Sequence, residues 1–315
     1  MPLTRLAVVA PCFNEMEVIE AFYGDLRAVL DGLRGYEWQI VFVDDGSDDS
    51  TLDKLNAMAA EEPRVKVYSL SRNFGHQIAL SAGLDVVDAD IVVMMDSDLQ
   101  HPPGLIPQML DRAAQGYDVV SAVRLQTEDA TWFKRATARG FYWVINRVSE
   151  VPIAEGAADF CVLSRRAHQA LQAMPERHRF VRGMLAWVGF RRAFVPFSAP
   201  ARPAGRSKYD SIRMYALALD ALFSFSAAPL RLASRAGLLL VALGIAYFGY
   251  VVVRYAAVGD LVRGWGSVIS TVLIIGGAQL FFVGLIGEYL ARIFEQVKRR
   301  PLYFFKQQPG DRQNS

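Results

Sequence analysis

Two long uncharged stretches near the C-terminus constrain the fold of this chain most strongly. Residues 236–253 read AGLLLVALGIAYFGYVVV, residues 266–287 read GSVISTVLIIGGAQLFFVGLIG, and neither contains a charged side chain. Each is close to the ~20 residues that a helix needs to cross the core of a bilayer. A core helix of a soluble protein normally keeps a polar face. We therefore predict two transmembrane helices, with a buried helical hairpin of a soluble protein as the alternative.

The short connection between these stretches predicts a hairpin, so both chain ends should lie on one side of the membrane. Most Lys and Arg residues precede the first stretch, and Lys298, Arg299 and Arg300 follow the second. The positive-inside rule then places both termini in the cytoplasm, at the inner membrane. Several glycines within the stretches would permit close helix packing, which makes a homo-oligomer plausible.

The first 125 residues alternate short apolar runs with amphipathic stretches, which is typical of an α/β fold. Runs that are apolar throughout and separated by helices predict a mostly parallel sheet covered on both faces. The predicted strands are 6–11, 40–45, 65–70, 90–96 and 117–124. The predicted helices are 15–33, 50–60, 76–86 and one that begins at Pro102 and Pro103 and ends near Gly116. Ligands of such sheets bind beyond the carboxyl ends of the strands.

An acidic turn follows the fourth predicted strand. Asp96 and Asp98 come directly after the apolar run VVMM, and Gln100 follows them. On an extended segment, residues two apart point to the same side, and oxygen ligands suit a hard cation such as Mg²⁺ or Mn²⁺. The pattern predicts a metal site that a nucleotide diphosphate completes, and a solvated acidic turn is the alternative. His101 is expected to have a structural or outer role, with direct metal ligation as the other possibility.

A second acidic strand end lies at VDDGSDDST, residues 43–51. Asp44 or Asp45 would bind the base or ribose of a nucleotide, although ordinary strand–turn–helix chemistry explains the same residues. The chain contains neither GxGxxG after a strand nor GxxxxGK[ST], which disfavours dinucleotide binding and a P-loop. The net charge of +2 gives no indication of nucleic-acid binding. Cys12 and Cys161 match no metal or disulfide pattern and are expected to be reduced.

Seven motifs in this order resemble those of a known enzyme family. Pro11-x-x-Asn14-Glu15, the 43–51 turn, SRNFG at 71–75 and DSDLQ at 96–100 are similar to glycosyltransferase family 2. The later ADFCVLSR (158–165), ERHRFVRGM (176–184) and RPAGRSKYD (202–210), followed by two spans, resemble its polyisoprenyl-phosphate branch. That branch includes bactoprenol glucosyltransferases and dolichyl-phosphate mannose synthases. Where the family usually has Lys after RNFG, this chain has His76, a form closer to the glucosyltransferases.

The resemblance implies a GT-A fold (Rossmann-like, with a mostly parallel sheet) and a role for each matching residue. Asp159, Asp98 and Arg135 match catalytic positions, and Asp96, Asp98 and Gln100 match the site of a Mg²⁺ or Mn²⁺ ion. The residues that match the donor nucleotide site are Pro11, Asn14, Glu15, Asp44, Asp45 and Asp96. Those expected to bind the diphosphate or the acceptor phosphate are Arg124, Arg135, Arg139, Arg202, Ser207 and Lys208. Asp159 is as suited to orienting a group as to taking a proton.

The implied reaction is inverting transfer of a hexose to a polyprenyl phosphate such as undecaprenyl phosphate, with glucose from UDP-glucose expected. GDP-mannose, UDP-N-acetylhexosamine and UDP-aminoarabinose remain open as donors. A processive polysaccharide synthase is disfavoured because QxxRW is absent. A nucleotide-binding membrane protein that assists lipid-sugar flipping, without catalysis, is the alternative of a different class.

The predicted organisation has four parts. Residues 1–208 form the catalytic domain, in which the aromatic and basic helix 130–147 lies at the membrane interface or packs on the sheet. Residues 209–232 form a juxtamembrane amphipathic helix, 233–295 carry the two spans, and 296–315 form a cytoplasmic tail that is polar and disordered from Gln307.

Overall fold

The computed structural model describes residues 3–125, 157–177, 179–198 and 265–310, together with scattered helical positions between 235 and 257. The chain divides into two compact units. One contains most of the chain up to Asp210 together with the C-terminal residues from Arg300. The other consists mainly of residues 211–299. The predicted helices 130–147 and 209–232 lie outside the described residues.

The first unit is built on an eight-stranded sheet. Its strands are β1 (Thr4–Cys12), β2 (Tyr36–Asp44), β3 (Val65–Leu70), β4 (Ile91–Met94), β5 (Val119–Arg124), β6 (Ala157–Ser164), β7 (Arg192–Phe197) and β8 (Phe305–Gln307). Its described helices are α1 (Ile19–Asp31), α2 (Thr51–Glu61), α3 (His76–Val86), α4 (Ile106–Ala114, after a 3-10 turn at Pro103–Leu105), α5 (Arg165–Gln172) and α6 (Val181–Trp187). All five strands and four helices that the sequence predicts for this unit's first 125 residues are confirmed, with ends that differ by a few residues.

The strand order is β7-β5-β6-β4-β1-β2-β3-β8. The four central strands β4, β1, β2 and β3 run parallel, as do β5 and β7. Strand β6 is antiparallel to both of its neighbours, β4 and β5. The result is the mostly parallel GT-A sheet that the resemblance implies, and its core is the buried apolar face of β1, β2 and β4 with helices packed against it.

Antiparallel pairing of β6 with β4 determines which residues meet at the ligand edge. Met94 pairs with Cys161, and the register runs without a break from Ile91↔Ser164. Continuing this register by two residues brings Asp159 level with Asp96. The acidic residue of the later motif is therefore placed beside the acidic turn by backbone pairing alone.

Helix α3 packs closely against the centre of the sheet. A Cβ atom on Gly83 would lie 2.4 Å from Cγ1 of Val9 on β1 and 3.0 Å from Cγ2 of Val43 on β2. Only a residue without a side chain lets the helix approach to this distance. The first residues of α3, His76 and Gln77, are thereby held at the carboxyl edge of the parallel strands.

The C-terminal segment adds a strand that the sequence analysis did not predict. Strand β8 pairs antiparallel with β3, with Leu70 opposite Phe305. The Ser71 N–H donates to the Phe304 carbonyl at 2.8 Å, and the Tyr303 hydroxyl donates to Asp85 at 3.1 Å. A strand of three residues shows no alternating pattern, which is why the predicted tail gave no sign of it. Residues 305–307 therefore form an edge strand of the sheet, and the disorder predicted from Gln307 is wrong for Gln307 itself.

The second unit contains one long described helix, α7 (Trp265–Val297). Its 33 residues span about 50 Å at 1.5 Å per residue. Within the described part of the chain, one stretch, Ile275–Val297, is long and apolar enough to cross a membrane, and none of it is buried. The described positions between 235 and 257 are also helical. Residues 266–287 and the described positions within 236–253 are therefore helical.

Candidate active site

The acidic turn after β4 is held in place by hydrogen bonds to β1 and to its own side chains. The Ser97 hydroxyl donates to the Pro11 carbonyl at 3.0 Å, and the Gln100 N–H donates to Asp98 at 3.1 Å. Leu99 adopts a left-handed conformation with φ 63°, which tightens the turn. Pro11 therefore supports the turn through its carbonyl group.

His101 fixes the start of the turn. Its Nδ1 accepts a hydrogen bond from the Asp96 N–H at 2.9 Å, so Nδ1 carries no proton and the proton of the neutral ring is on Nε2. The ring is buried, stacks on Phe160 with a centroid distance of 5.3 Å, and meets the edge of Phe197. Nδ1 also lies 3.6 Å from the Asp96 carboxylate. These contacts fit the structural role predicted for His101.

Four side chains of alternating charge run from the acidic turn into the protein. His76 Nε2 lies 3.2 Å from the Asp96 carboxylate and 3.7 Å from that of Asp159. Arg182 donates to both carboxylate oxygens of Asp159, from Nε at 2.6 Å and from Nη2 at 2.9 Å. Gln77 donates to the same carboxylate at 3.0 Å. Asp159 is buried, so these donors replace the water it would otherwise bind.

The electrostatics of this row follow from burial and neighbouring charges. Burial opposes the charged form of Asp159, but the hydrogen bonds from Arg182 and the nearby His76 imidazole outweigh it and hold the pKa of Asp159 well below its usual range. Partial loss of solvent opposes the charged form of His76, whose side chain is 42% exposed, and the two carboxylates outweigh this effect, so the pKa of His76 lies above its ordinary value. Burial raises the pKa of Asp96, and the Asp159 and Asp98 carboxylates add to the rise, although the imidazoles of His101 and His76 oppose it. The Asp96 end of the row therefore favours an added cation.

The second acidic strand end is joined to the first strand by side-chain hydrogen bonds. Asp44, which is buried, accepts from the Ser47 N–H at 3.1 Å and from the Ser69 hydroxyl at 2.8 Å. Asn14, in a left-handed conformation with φ 53°, donates its N–H to Ser47 at 3.0 Å, and its side-chain oxygen accepts from the Asp48 N–H at 2.9 Å. The turns after β1 and β2 thus form one connected wall.

Glu15 lies in the same wall through its backbone. Its N–H donates to the Thr51 hydroxyl at 2.9 Å, at the first residue of α2. Its carbonyl accepts from the N–H groups of Val18 and Ile19, which begins α1. The backbone of Glu15 therefore links the start of both helices to this edge of the sheet.

Asp45 supports the neighbouring loop. Its two carboxylate oxygens accept from the N–H groups of Phe74 and Gly75 at 2.8 and 2.9 Å, just before α3 begins. Burial raises the pKa of Asp45, although these two bonds oppose the rise. With both oxygens already used, the geometry favours a positioning role for Asp45 over the nucleotide contact that the resemblance implies.

The residues at the acidic turn fit a hard cation that takes further ligands from a substrate. Among the described residues no group of three or more His, Cys, Asp or Glu side chains would hold a metal. Asp96 and Asp98 supply two carboxylates, and oxygen ligands of this kind suit Mg²⁺ or Mn²⁺. Arg124, at the end of β5, donates to the side-chain oxygen of Gln100 at 3.2 Å. Gln100 therefore shares its oxygen with a guanidinium group that also faces this edge.

The structure joins the predicted residues at the acidic turn, at the Asp44 wall and at Asp159 along one edge of the sheet. Five predicted residues lie outside the described residues: Arg135, Arg139, Arg202, Ser207 and Lys208. Sequence reasoning missed His76, Gln77 and Arg182 as members of the row. One signal for the first two was available, because they follow directly on the loop after β3, at the ligand edge of the sheet. Cys12 and Cys161 are buried and free, as predicted.

The parallel core and the acidic turn at its ligand edge define a glycosyltransferase domain of the GT-A class. Residues 7–171 match the glycosyl transferase family 2 domain, and residues 228–293 match the GtrB C-terminal hairpin. The chain belongs to glycosyltransferase family 2. The hairpin match and the exposed apolar side chains of α7 associate the protein with a membrane.

Related proteins cover nearly the whole chain. An uncharacterized glycosyltransferase of Synechocystis sp. is 40% identical over 299 residues, which are 95% of this chain and 94% of that protein. The SfII prophage-derived bactoprenol glucosyl transferase of Shigella flexneri is 38% identical over 302 residues, 96% and 97% of the two chains. The crystal structure of mannosyl-3-phosphoglycerate synthase from Rubrobacter xylanophilus superposes with a TM-score of 0.50 at 20% identity, covering 74% of this chain and 75% of that one. At that identity the likeness concerns the fold alone.

Proposed function

We propose that this protein transfers glucose from UDP-glucose to a polyprenyl phosphate, such as undecaprenyl phosphate, with inversion at the sugar carbon. The observation that carries the proposal is the 38% identity, over 96% of this chain, to a protein named bactoprenol glucosyl transferase. The acidic turn and the row of charges beyond it supply the groups that such a reaction needs. No base is required to prepare the acceptor, because a phosphate monoester with a second pKa of about 6 is largely dianionic at neutral pH.

The donor would lie along the edge formed by the Asp44 wall and the acidic turn. Pro11, Asn14, Glu15 and Asp44 would surround the nucleoside, and Asp45 would hold the adjoining loop. Asp96 and Asp98, with Gln100, would hold a Mg²⁺ or Mn²⁺ ion against the diphosphate. Such an ion supplies Lewis-acid stabilisation of the charge that builds on the leaving group. Arg124 adds positive charge at the same edge through its contact with Gln100.

The acceptor phosphate would be drawn in by arginines near the membrane. Arg135 and Arg139 suit this role because guanidinium groups bind phosphate through paired, charge-assisted hydrogen bonds. Arg202, Ser207 and Lys208 would close over the diphosphate and exclude water. Attack by a phosphate oxygen on the face opposite the leaving group gives inversion.

The membrane anchor would consist of two spans, 236–253 and 266–287, with the catalytic domain and both termini in the cytoplasm. The basic residues Lys298, Arg299 and Arg300 after α7 fit this orientation. The acceptor lipid would then be used in the cytoplasmic leaflet of the inner membrane.

Transfer assays with a panel of donors test the proposal. Purified protein is incubated with Mg²⁺, undecaprenyl phosphate and one radiolabelled donor at a time: UDP-glucose, GDP-mannose, UDP-N-acetylglucosamine or UDP-aminoarabinose. We expect lipid-soluble label from UDP-glucose at a rate at least tenfold above the others. Preference for another donor would overturn the glucose assignment, and no lipid-soluble product from any donor would overturn the transferase assignment.

A further inference from the structure

The carboxylate of Asp159 is held by more donors than a proton acceptor would need. Arg182 engages both oxygens, and Gln77 donates to one of them at 3.0 Å. His76 approaches the same oxygen as Gln77, at 3.7 Å. A carboxylate saturated in this way by charged and amide donors is a weak base, since every donor stabilises its ionised form.

Gln77 ties this arrangement to the backbone of two helices. Its side-chain nitrogen donates to Asp159, while its side-chain oxygen accepts from the Val181 N–H at 3.0 Å, at the first residue of α6. These two hydrogen bonds determine the orientation of the side-chain amide of Gln77. Arg182 is the next residue of α6, so the bond that orients Gln77 also sets the position from which Arg182 reaches Asp159. The start of α3, the start of α6 and the middle of β6 are thereby locked together at one carboxylate.

His76 connects Asp159 to the acidic turn. The imidazole Nε2 lies between the two carboxylates, closer to Asp96 at 3.2 Å than to Asp159 at 3.7 Å. Because Arg182 fixes the position of Asp159, the imidazole ring of His76 is held between Asp159 and Asp96. Loss of either anchor would let the ring, and with it Asp96, shift relative to the donor.

We propose that Arg182 and Gln77 are positioning residues that hold Asp159 as a permanent anion, whose task is to keep His76 against Asp96 rather than to remove a proton. The inference rests on the proposed function and deepens it. In that reaction a phosphate oxygen bonds to the sugar carbon as the bond from carbon to the diphosphate oxygen breaks, and the electron pair leaves on UDP. A dianionic monoester and a UDP-sugar of charge −2 give a monoanionic phosphodiester and UDP of charge −3. Charge balances without any proton transfer, so no base is required.

Replacing Arg182 separates the two roles of Asp159, because they predict opposite signs. If Asp159 were a base, Arg182→Gln would make it more basic and would maintain or increase kcat. If Asp159 is a fixed anion, Arg182→Gln should lower kcat by at least about tenfold, with Arg182→Lys intermediate because it keeps the charge and loses the paired geometry. The donor KM should change by less than about threefold, since the nucleoside wall is untouched.

The double variant Asp159→Asn/Arg182→Gln keeps the test valid if the single variant Arg182→Gln folds poorly. Each single change removes one charge of the Arg182–Asp159 ion pair, whereas the double change leaves a neutral pair of similar shape. We expect the double variant to be about as active as Arg182→Gln alone, because the fixed anion that holds His76 is already lost in the single variant. General base catalysis contributes about 10²–10⁴-fold, so a base would make the double variant at least about a hundredfold slower than that single variant.

Arg165→Gln is the matched control, since it removes an arginine that pairs with Asp88 and Asp90 away from the site. Rates are expressed per site that binds Mn²⁺–UDP, and melting temperatures are measured in parallel. A smaller fraction of folded protein is then not mistaken for a lower kcat. The control should keep wild-type kcat. Variant rates are compared with wild type on whichever donor the wild type uses, so a failure of UDP-glucose counts against the proposed function alone. An Arg182→Gln variant with wild-type kcat or more would overturn the inference.

Discussion

Replacing Gly46 by alanine tests whether the turn after β2 and the loop before α3 are packed as one unit. Gly46 has φ +69°, and an added Cβ would lie 2.5 Å from the backbone carbon of Arg72 and 2.8 Å from the backbone nitrogen of Asn73. Real Cβ atoms do not approach backbone this closely, so the Arg72–Asn73 backbone or the turn must move. The loop that moves leads directly into His76.

Gly35 offers a matched control with the same conformational cost and no clash. It has φ +86°, and nothing lies within 4 Å of an added Cβ. A left-handed conformation costs a residue with a side chain roughly 1–2 kcal/mol, and overpacking costs roughly 1–3 kcal/mol more. Gly35→Ala should therefore cost about 1–2 kcal/mol of stability and Gly46→Ala about 2–5 kcal/mol. The gain from a stiffer unfolded chain applies to both variants and cancels in the comparison.

The assay is denaturant unfolding of the detergent-purified full chain, followed by a signal from the catalytic domain, together with the transfer rate. Gly46→Ala should be less stable than Gly35→Ala by at least about 1 kcal/mol. It should also lose transfer activity per folded molecule, because Phe74, Gly75 and His76 are displaced. Equal stability of the two variants, or full activity of Gly46→Ala, would refute the reasoning that the two loops are packed together.

Three further changes test other parts of the account. Asp98→Ala should abolish transfer with little change in melting temperature, because it removes one of the two carboxylates proposed to hold the metal and no core contact. Near-normal transfer would contradict the metal assignment. A chain ending at Arg299 lacks β8 and should melt at a lower temperature and lose activity. The control Tyr303→Phe removes one hydroxyl group and should lower both quantities only slightly. A truncated protein with unchanged melting temperature and activity would show that β8 is dispensable. Arg135→Ala should raise the KM for polyprenyl phosphate more than that for the donor in steady-state assays, and unchanged lipid kinetics would indicate a structural arginine.

The strands and the acidic turn were predictable from the sequence because their signals are local. A continuous apolar run such as that before Asp96 predicts a buried strand, and its polar end then falls at the ligand edge of a parallel sheet. The uncharged stretches near the C-terminus were likewise recognisable from the sequence. Each of these features rests on residues that are neighbours in the chain, so composition and spacing suffice.

The row that contains Asp159 was not predictable, because its contacts join distant parts of the chain. Gln77 meets Asp159 across 82 residues and Val181 across 104. These meetings depend on the register of β6 against β4, which no local pattern reveals. The same holds for Asp45: its sequence neighbourhood suits a nucleotide ligand, and only the folded loop shows its oxygens bound to Phe74 and Gly75.

The short strand β8 illustrates a further reason why some elements could not be predicted from the sequence. Three residues carry too little pattern to be distinguished from a tail, and the strand forms only because the exposed edge of β3 lies beside it. Edge pairing of this kind is decided by tertiary structure. Phe304, directly before the strand, nevertheless accepts a hydrogen bond from Ser71, at the start of the loop that leads to His76, so this segment bears on the site.

One measurement tests the central claim most directly: formation of a lipid-soluble glucosyl product from UDP-[¹⁴C]glucose by the purified full chain. The reaction is run with and without undecaprenyl phosphate, and with Mg²⁺ either present or removed by chelation and then restored. The account predicts labelled lipid only when both the lipid phosphate and the cation are present, and full recovery when the cation is restored. Labelled lipid that forms at the same rate after chelation, or a requirement for an acceptor other than polyprenyl phosphate, would contradict it.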